Sequence, residues 1–109
     1  MNKDSEVLIE TSSGNVYADL GLPDAQEMLV KAQLAQKISE LMQNRRLTQV
    51  AAAKLFGMTQ PKVSALLRGQ FRGISEAKMI DCLNKLGRDV EIVIAESRQQ
   101  TGSLRVVFA

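Results

Sequence analysis

The fold is decided by one stretch, LTQVAAAKLFGMTQPKVSALLRG, which runs from Leu47 to Gly69. Two short helical patterns lie in it, parted by a glycine. Thr48 is placed to cap the first, its hydroxyl accepting from a first-turn amide that has no intrahelical partner, and the pattern continues to Phe56. Gly57 stops it, as a residue that enters the left-handed conformation without steric cost. Thr59 is placed to cap the second pattern, from Gln60 to about Arg68, and Pro61 is tolerated in its first turn, where no amide is needed. Two helices crossing steeply through so tight a turn need a small residue near the crossing, and Ala53 stands four before the glycine. They also need an apolar plug on the second helix; Val63 supplies it, followed by Leu66 and Leu67. Val50, Leu55, Phe56 and Met58 are expected to fill the remaining inner positions. This is the pattern of a helix-turn-helix.

Upstream, Pro23 opens a longer helical pattern, with Asp24 and Glu27 in a first turn whose dipole favours negative charge. Met28, Leu29, Ala32, Leu34, Ala35, Ile38, Leu41 and Met42 keep helical spacing, and the pattern ends near Asn44 or Arg46. Downstream, Ser75 is placed to cap a helix that Gly87 stops, with Ile74 and Met79 positioned as a hydrophobic staple. Met79, Cys82, Leu83 and Leu86 form its inner stripe, which makes Cys82 a packed thiol. Beyond Gly87 the period becomes twofold: Val90, Ile92 and Ile94 alternate with Glu91, Val93 and Ala95, and Leu104–Phe108 returns after a polar stretch. A lone strand or hairpin is marginal, so its natural partner is the same segment of a second copy; a dimer through the long first helix is the alternative. The expected fold class is all-α: a helix-turn-helix bundle of four to five helices with a short C-terminal β-strand or hairpin used for dimerisation. Residues 1–15 are expected to be a mobile arm, with a short strand possible at Val7–Ile9, residues 16–88 the helix-turn-helix domain, and residues 89–109 the β dimerisation element.

Charge sharpens the reading. The chain has 109 residues and a net charge of +2, unevenly spread. Met1–Glu40 carries three lysines against seven acids, Leu41–Arg88 nine bases against two acids, and Asp89–Ala109 two bases against three acids. No acid occurs between Leu41 and Ser75, where Arg45, Arg46, Lys54, Lys62, Arg68 and Arg72 all fall. A basic centre in an acidic frame points to a polyanion. Several classes are excluded in turn. With no histidine and one cysteine there is no intrachain disulfide, no His/Cys zinc site and no His-based triad or dyad. No metal or other cofactor is expected, and an enzyme is not expected, since the acids that could form a catalytic pair lie at the edges of the chain. Four aromatics (Tyr17, Phe56, Phe71 and Phe108) provide no stacking platform for single strands. Phe56 is core by position, and Phe71 reads as a turn anchor rather than a wedge against DNA. Apolar runs stop at four residues, and no basic start leads into an apolar stretch, so neither a membrane span nor a signal peptide is expected and the cytoplasm is the expected compartment.

The Leu47–Gly69 segment, the preceding GLPDAQEMLVKAQLAQKI and the following KMIDCLNKLGRDVEIVI resemble phage-repressor-like (XRE-type) helix-turn-helix proteins, and more narrowly the HigA-like antitoxins encoded beside RelE-like toxins. The resemblance covers about Val16 to Ala95. It implies a DNA-binding repressor of its own operon, a homodimer on an inverted-repeat operator, and a RelE-like, mRNA-cleaving toxin as protein partner. A stand-alone regulator, or an interaction adaptor that has lost DNA binding, are the alternatives. Carried over residue by residue, Gln49 matches the glutamine with which the repressor family touches phosphate and braces the reading helix. Gln60 matches a base-reading position, and glutamine pairs with N6 and N7 of adenine in the major groove. Lys62, Ser64 and Arg68 share the outer side of that helix, and Thr59 is a further phosphate candidate. Pro61 departs from the polar residue usual there, and no base contact is carried over to that position. Arg45, Arg46, Lys54 and Arg72 are expected to neutralise phosphates, positioning rather than reading; for Arg45 and Arg46 the competing role is dipole partner at the carboxyl end of the long helix they terminate. Val90, Ile92 and Ile94 are the expected dimerisation residues.

Overall fold

The structure is a computed structural model that describes Gly21 and residues 24–109. The arm expected over residues 1–15, the strand at Val7–Ile9, Tyr17 and Pro23 lie outside the described residues. Four helices follow in order: α1 (Ala25–Asn44), α2 (Gln49–Phe56), α3 (Gln60–Leu67) and α4 (Glu76–Lys85). Three begin as the capping residues dictate. The hydroxyls of Thr48, Thr59 and Ser75 accept from the amides of Ala51, Lys62 and Lys78, each cap residue being in extended conformation. Asp24 takes the cap position of α1 but makes no cap bond with its side chain.

All four helices end in the same reversal. After each last turn one residue enters positive φ, and two amides fold back onto carbonyls of the turn: Met58 to Ala53 and Gly57 to Lys54 after α2, Arg88 to Leu83 and Gly87 to Asn84 after α4. Gly57, Gly69 and Gly87 hold that place at φ 65, 81 and 85°. At the end of α1 it falls to Arg46, at φ 55°, with Arg46 donating to Gln43 and Leu47 to Met42. A side chain there costs about 1–2 kcal/mol that glycine does not.

The helices enclose one core. α1 packs on α4 and α3, and α2 packs on α3 and α4. α1 contributes Met28, Leu34, Ala35, Ile38, Leu41 and Met42, spaced along one face, and the innermost side chains are Ile38, Phe56, Val63, Leu66, Met79 and Cys82. Phe71 and Ile74 in the loop between α3 and α4 are buried too, so Phe71 is the anchor its sequence position predicts. Ile74 and Met79 are both in the core, as the staple requires.

Two expectations need correction. Val50 and Leu55 are not inner residues: they are 51% and 36% exposed, and Ala52 is fully buried instead. At 3.6 residues per turn both lie about 100° or more around α2 from Phe56, whereas Ala52 and Ala53 flank it closely. Nor does the chain beyond Gly87 form the expected strand or hairpin. Among the described residues there is no hydrogen-bonded ladder, and Val90, Ile92 and Ile94 are 36%, 81% and 94% exposed. A strand exists only through a partner edge, and a single chain offers this segment none. The chain instead returns along α1: Gln26 Nε2 donates to the Leu104 carbonyl at 3.2 Å, Val106 packs on the core, and the Lys37 ammonium lies 5.5 Å from the Phe108 ring centroid.

Urea or thermal unfolding checks this packing. Phe56→Ala should cost about 3–5 kcal/mol, while Val50→Ser, at a half-exposed position, should cost less than about 1 kcal/mol. Arg46→Gly should raise stability by about 1 kcal/mol by relieving the left-handed backbone.

Candidate nucleic-acid interface

α3 has eight residues, so it is about 12 Å long, and an α-helix with its side chains is about as wide as a duplex major groove. Its inner side is fixed by Val63 and Leu66. Gln60, Pro61, Lys62 and Arg68 are exposed and Ser64 is half-buried, so the outer side is polar and basic. On α2, Gln49 stands exposed in the first turn and Lys54 in the last. Thr59 keeps a hydroxyl proton to donate while its oxygen caps α3 at 3.3 Å. Among the described residues Arg46, Lys54, Lys62 and Arg68 have no carboxylate partner. Arg46 also holds a strained backbone that glycine would relax, which fits a position kept for its charge.

The remaining expected phosphate contacts are otherwise engaged. Arg45 Nη2 donates to the Leu86 carbonyl at 2.9 Å, closing the carboxyl end of α4. A Cβ at Gly87 would stand 3.1 Å from that nitrogen, so glycine also makes room for it. The Arg72 guanidinium pairs with Asp24.

A cleft of about 380 Å³ separates the turn from the loop before α4, lined by Gly57, Met58, Thr59 and Lys62 on one side and Gly73, Ile74, Ser75 and Lys78 on the other. The sequence reading missed Lys78. Its ammonium donates to the Phe56 carbonyl, at the end of α2, and to Asp81 at 3.2 Å. The signal was present: a lysine in the first turn of a helix opposes the helix dipole, so the position is held for another purpose. Lys85 and Lys78 both hydrogen-bond Asp81 and hold its carboxyl below the ordinary value. Asp24 and Lys31 were missed as well. Lys31 is buried, pairs with Glu27 at 3.0 Å and donates to the Arg72 carbonyl at 3.1 Å. Cys82 is fully buried, and desolvation raises its thiol pKa, as befits a packed side chain.

A helix-turn-helix domain family matches residues 16–95, most of the chain. No curated protein matches. A solved structure whose name places it among XRE family transcriptional regulators is 38% identical and superposes with a TM-score of 0.69, over 80% of this chain and 98% of that one. This chain belongs to the XRE-type helix-turn-helix family. In an XRE-type domain the exposed side of the motif's second helix is the side that enters the groove, and here that side bears Gln60, Lys62 and Arg68. The assignment extends past α4 to residue 95, so the apolar segment after Gly87 is part of the family unit.

The two kinds of arginine and lysine are separable by experiment. Lys54→Ala should leave the melting temperature unchanged and lower the slope of log affinity against log salt by roughly 0.9. Arg45→Ala should do the reverse, costing about 1 kcal/mol of stability and leaving the slope alone.

Proposed function

We propose that this chain is a sequence-specific double-stranded-DNA-binding transcriptional repressor, acting as a homodimer on an inverted-repeat operator. The observation that carries the reading is α3: seated by Val63 and Leu66, it turns a polar, basic side outward within a stretch, Leu41–Ser75, that holds no acid. Gln60 is the base-reading residue. Lys62, Ser64 and Arg68 follow it along the groove. Gln49, Thr59, Arg46 and Lys54 hold phosphates, fixing position rather than sequence. The reading gives the chain no catalytic step. Its place is the cytoplasm, where its DNA is; among the described residues no helix is long and apolar enough to cross a membrane.

Dimerisation is assigned to Val90, Ile92 and Ile94. The exposure of this β-branched run in the single chain supports the assignment, because pairing with its copy would satisfy the edge amides and bury the apolar side together. The finest level of the proposal is that the protein is the antitoxin of a type II toxin–antitoxin pair, binds a RelE-like toxin and represses its own operon. That level rests on the resemblance of GLPDAQEMLVKAQLAQKI and KMIDCLNKLGRDVEIVI to HigA-like antitoxins. Co-expression with the product of the adjacent gene tests it: a complex with a small basic ribonuclease, and rescue of growth, are expected, and an adjacent product that neither binds nor is toxic removes the antitoxin role.

Selection from random duplexes should return two half-sites about one helical turn, or roughly 34 Å, apart. On the selected site Gln60→Ala should cost about 1–3 kcal/mol and relax preference at one base pair per half-site, with no loss of stability. Ile92→Pro should sediment as a monomer and lose tight operator binding while its helical circular dichroism persists. An Ile92→Pro protein that stays dimeric would place the dimer contact on α1.

A further inference from the structure

Of the six bases between Leu41 and Ser75, Arg72 alone is paired with a carboxylate among the described residues, and that carboxylate, Asp24, comes from 48 positions earlier in the chain. The backbone around Arg72 is pinned. Phe71 and Ile74 are buried on either side of it, and Lys31, itself held by Glu27, takes the Arg72 carbonyl. The Arg72 side chain is nonetheless 58% exposed. A fixed root thus carries a guanidinium that is open to solvent while it is paired with Asp24.

The loop that carries it leaves the carboxyl end of α3 at Gly69 and returns at Gly73 and Ile74 to the cleft shared with Thr59 and Lys62, beside the amino end of the same helix. Its two ends thus lie near the two ends of α3. A helix lying in a major groove has a phosphate backbone on each side, so a loop along its flank faces one of them. Asp24 is meanwhile a weakly supported counter-ion. Its Oδ2 meets Arg72, whereas its Oδ1 is enclosed without a hydrogen bond, and the carboxylate does not cap α1.

We propose that Arg72 is a phosphate contact which Asp24 occupies in the DNA-free protein, so that Asp24 sets DNA affinity by competing with the duplex backbone for one guanidinium. The proposal rests on the DNA-binding reading above. A partly exposed ion pair is weak, so a phosphate can displace it, and the competition acts on every sequence alike. When DNA takes Arg72, Asp24 is left charged and without a partner. That cost is charged against binding, and an asparagine at 24 does not incur it.

The test uses the full chain and a fluorescein-labelled random-sequence duplex about two helical turns long, titrated at several salt concentrations. Asp24→Asn should bind about two- to fivefold more tightly at low salt, with a log–log slope steeper by up to roughly 0.9. In an Arg72→Ala background the Asp24→Asn gain should largely vanish, which separates release of one guanidinium from mere loss of a negative charge. The exchange Asp24→Arg with Arg72→Asp keeps an ion pair and the fold, and should bind several-fold less tightly than wild type. Unchanged or weaker binding by a folded Asp24→Asn protein, or a gain that persists without Arg72, overturns the proposal. If Asp24→Asn fails to fold, the exchange variant decides: binding equal to wild type overturns the proposal, and weaker binding sustains it. A wild-type chain that binds no duplex at all is a failure of the DNA-binding reading and is distinguishable from either result.

Discussion

An eight-residue helix does not hold itself in water, because nucleation consumes most of what its few hydrogen bonds return. A reading helix faces a harder constraint, since one of its sides must stay bare for DNA. The burial of Val63 and Leu66 therefore decides whether α3 exists and where it points. Everything around those two residues serves that seat. Ile38 of α1, Phe56 of α2, and Met79 and Cys82 of α4 share the core in which the two are seated. Gly57 sets the angle at which α3 leaves α2, and Phe71 and Ile74 hold down the loop that follows. The exposed side chains of α3, Gln60, Lys62 and Arg68 among them, touch little of the core, so the fold tolerates their change for the same reason that it does not tolerate change of the inner ones.

The basic residues divide along a similar line. Net positive charge on a face is a sequence property, but a charge contributes to binding only if its counter-ion is not already supplied by the protein. Arg45 spends its guanidinium on the end of α4, Lys78 on the end of α2, and Lys31 on the loop after α3. These three are cations at helix and loop carbonyls, where partial negative charge is concentrated. Arg46, Lys54, Lys62 and Arg68 have no such acceptor among the described residues, and Arg72 stands between the two groups with Asp24. Counting bases along the chain finds the basic region but does not tell which of its cations already have a partner within the protein.

What was legible in the sequence was legible because it is local. Thr48, Thr59 and Ser75 bond amides three residues away, and Gly57, Gly69 and Gly87 answer to their own φ, so the bounds of three helices follow from short strings. The reading helix and its exposed residues came with those bounds. Val50 and Leu55 were misplaced because apolar character alone does not say which side of a short helix faces inward; Ala52, too small to signal burial, holds the inner position. The roles of Arg45, Arg72, Lys31 and Asp24 depend on contacts spanning 41 to 48 residues, and nothing in a local pattern carries such information. Lys78 was the exception, a long-range contact with a local trace in its unfavourable position against the helix dipole.

The segment after Gly87 shows the same limit from the other side. Its twofold period is a true property of the sequence, yet the single chain gives it no ladder, since a strand is a relation between two edges. In isolation the segment leaves Ile92, Val93 and Ile94 more than 80% exposed and adjacent. Isolated surface apolar residues need no account, but a contiguous β-branched run beside a well-packed core does. Folding of the core does not depend on that run, because the innermost side chains all precede it. Pairing by the run would therefore be free to respond to concentration while the DNA-reading unit stays intact. Under the proposed pairing two equilibria would be coupled through one symmetry axis: the tighter the copies paired, the more often two α3 helices would meet the duplex together. Operator affinity would then rise with protein concentration through the tail, with no change at any residue that touches a base.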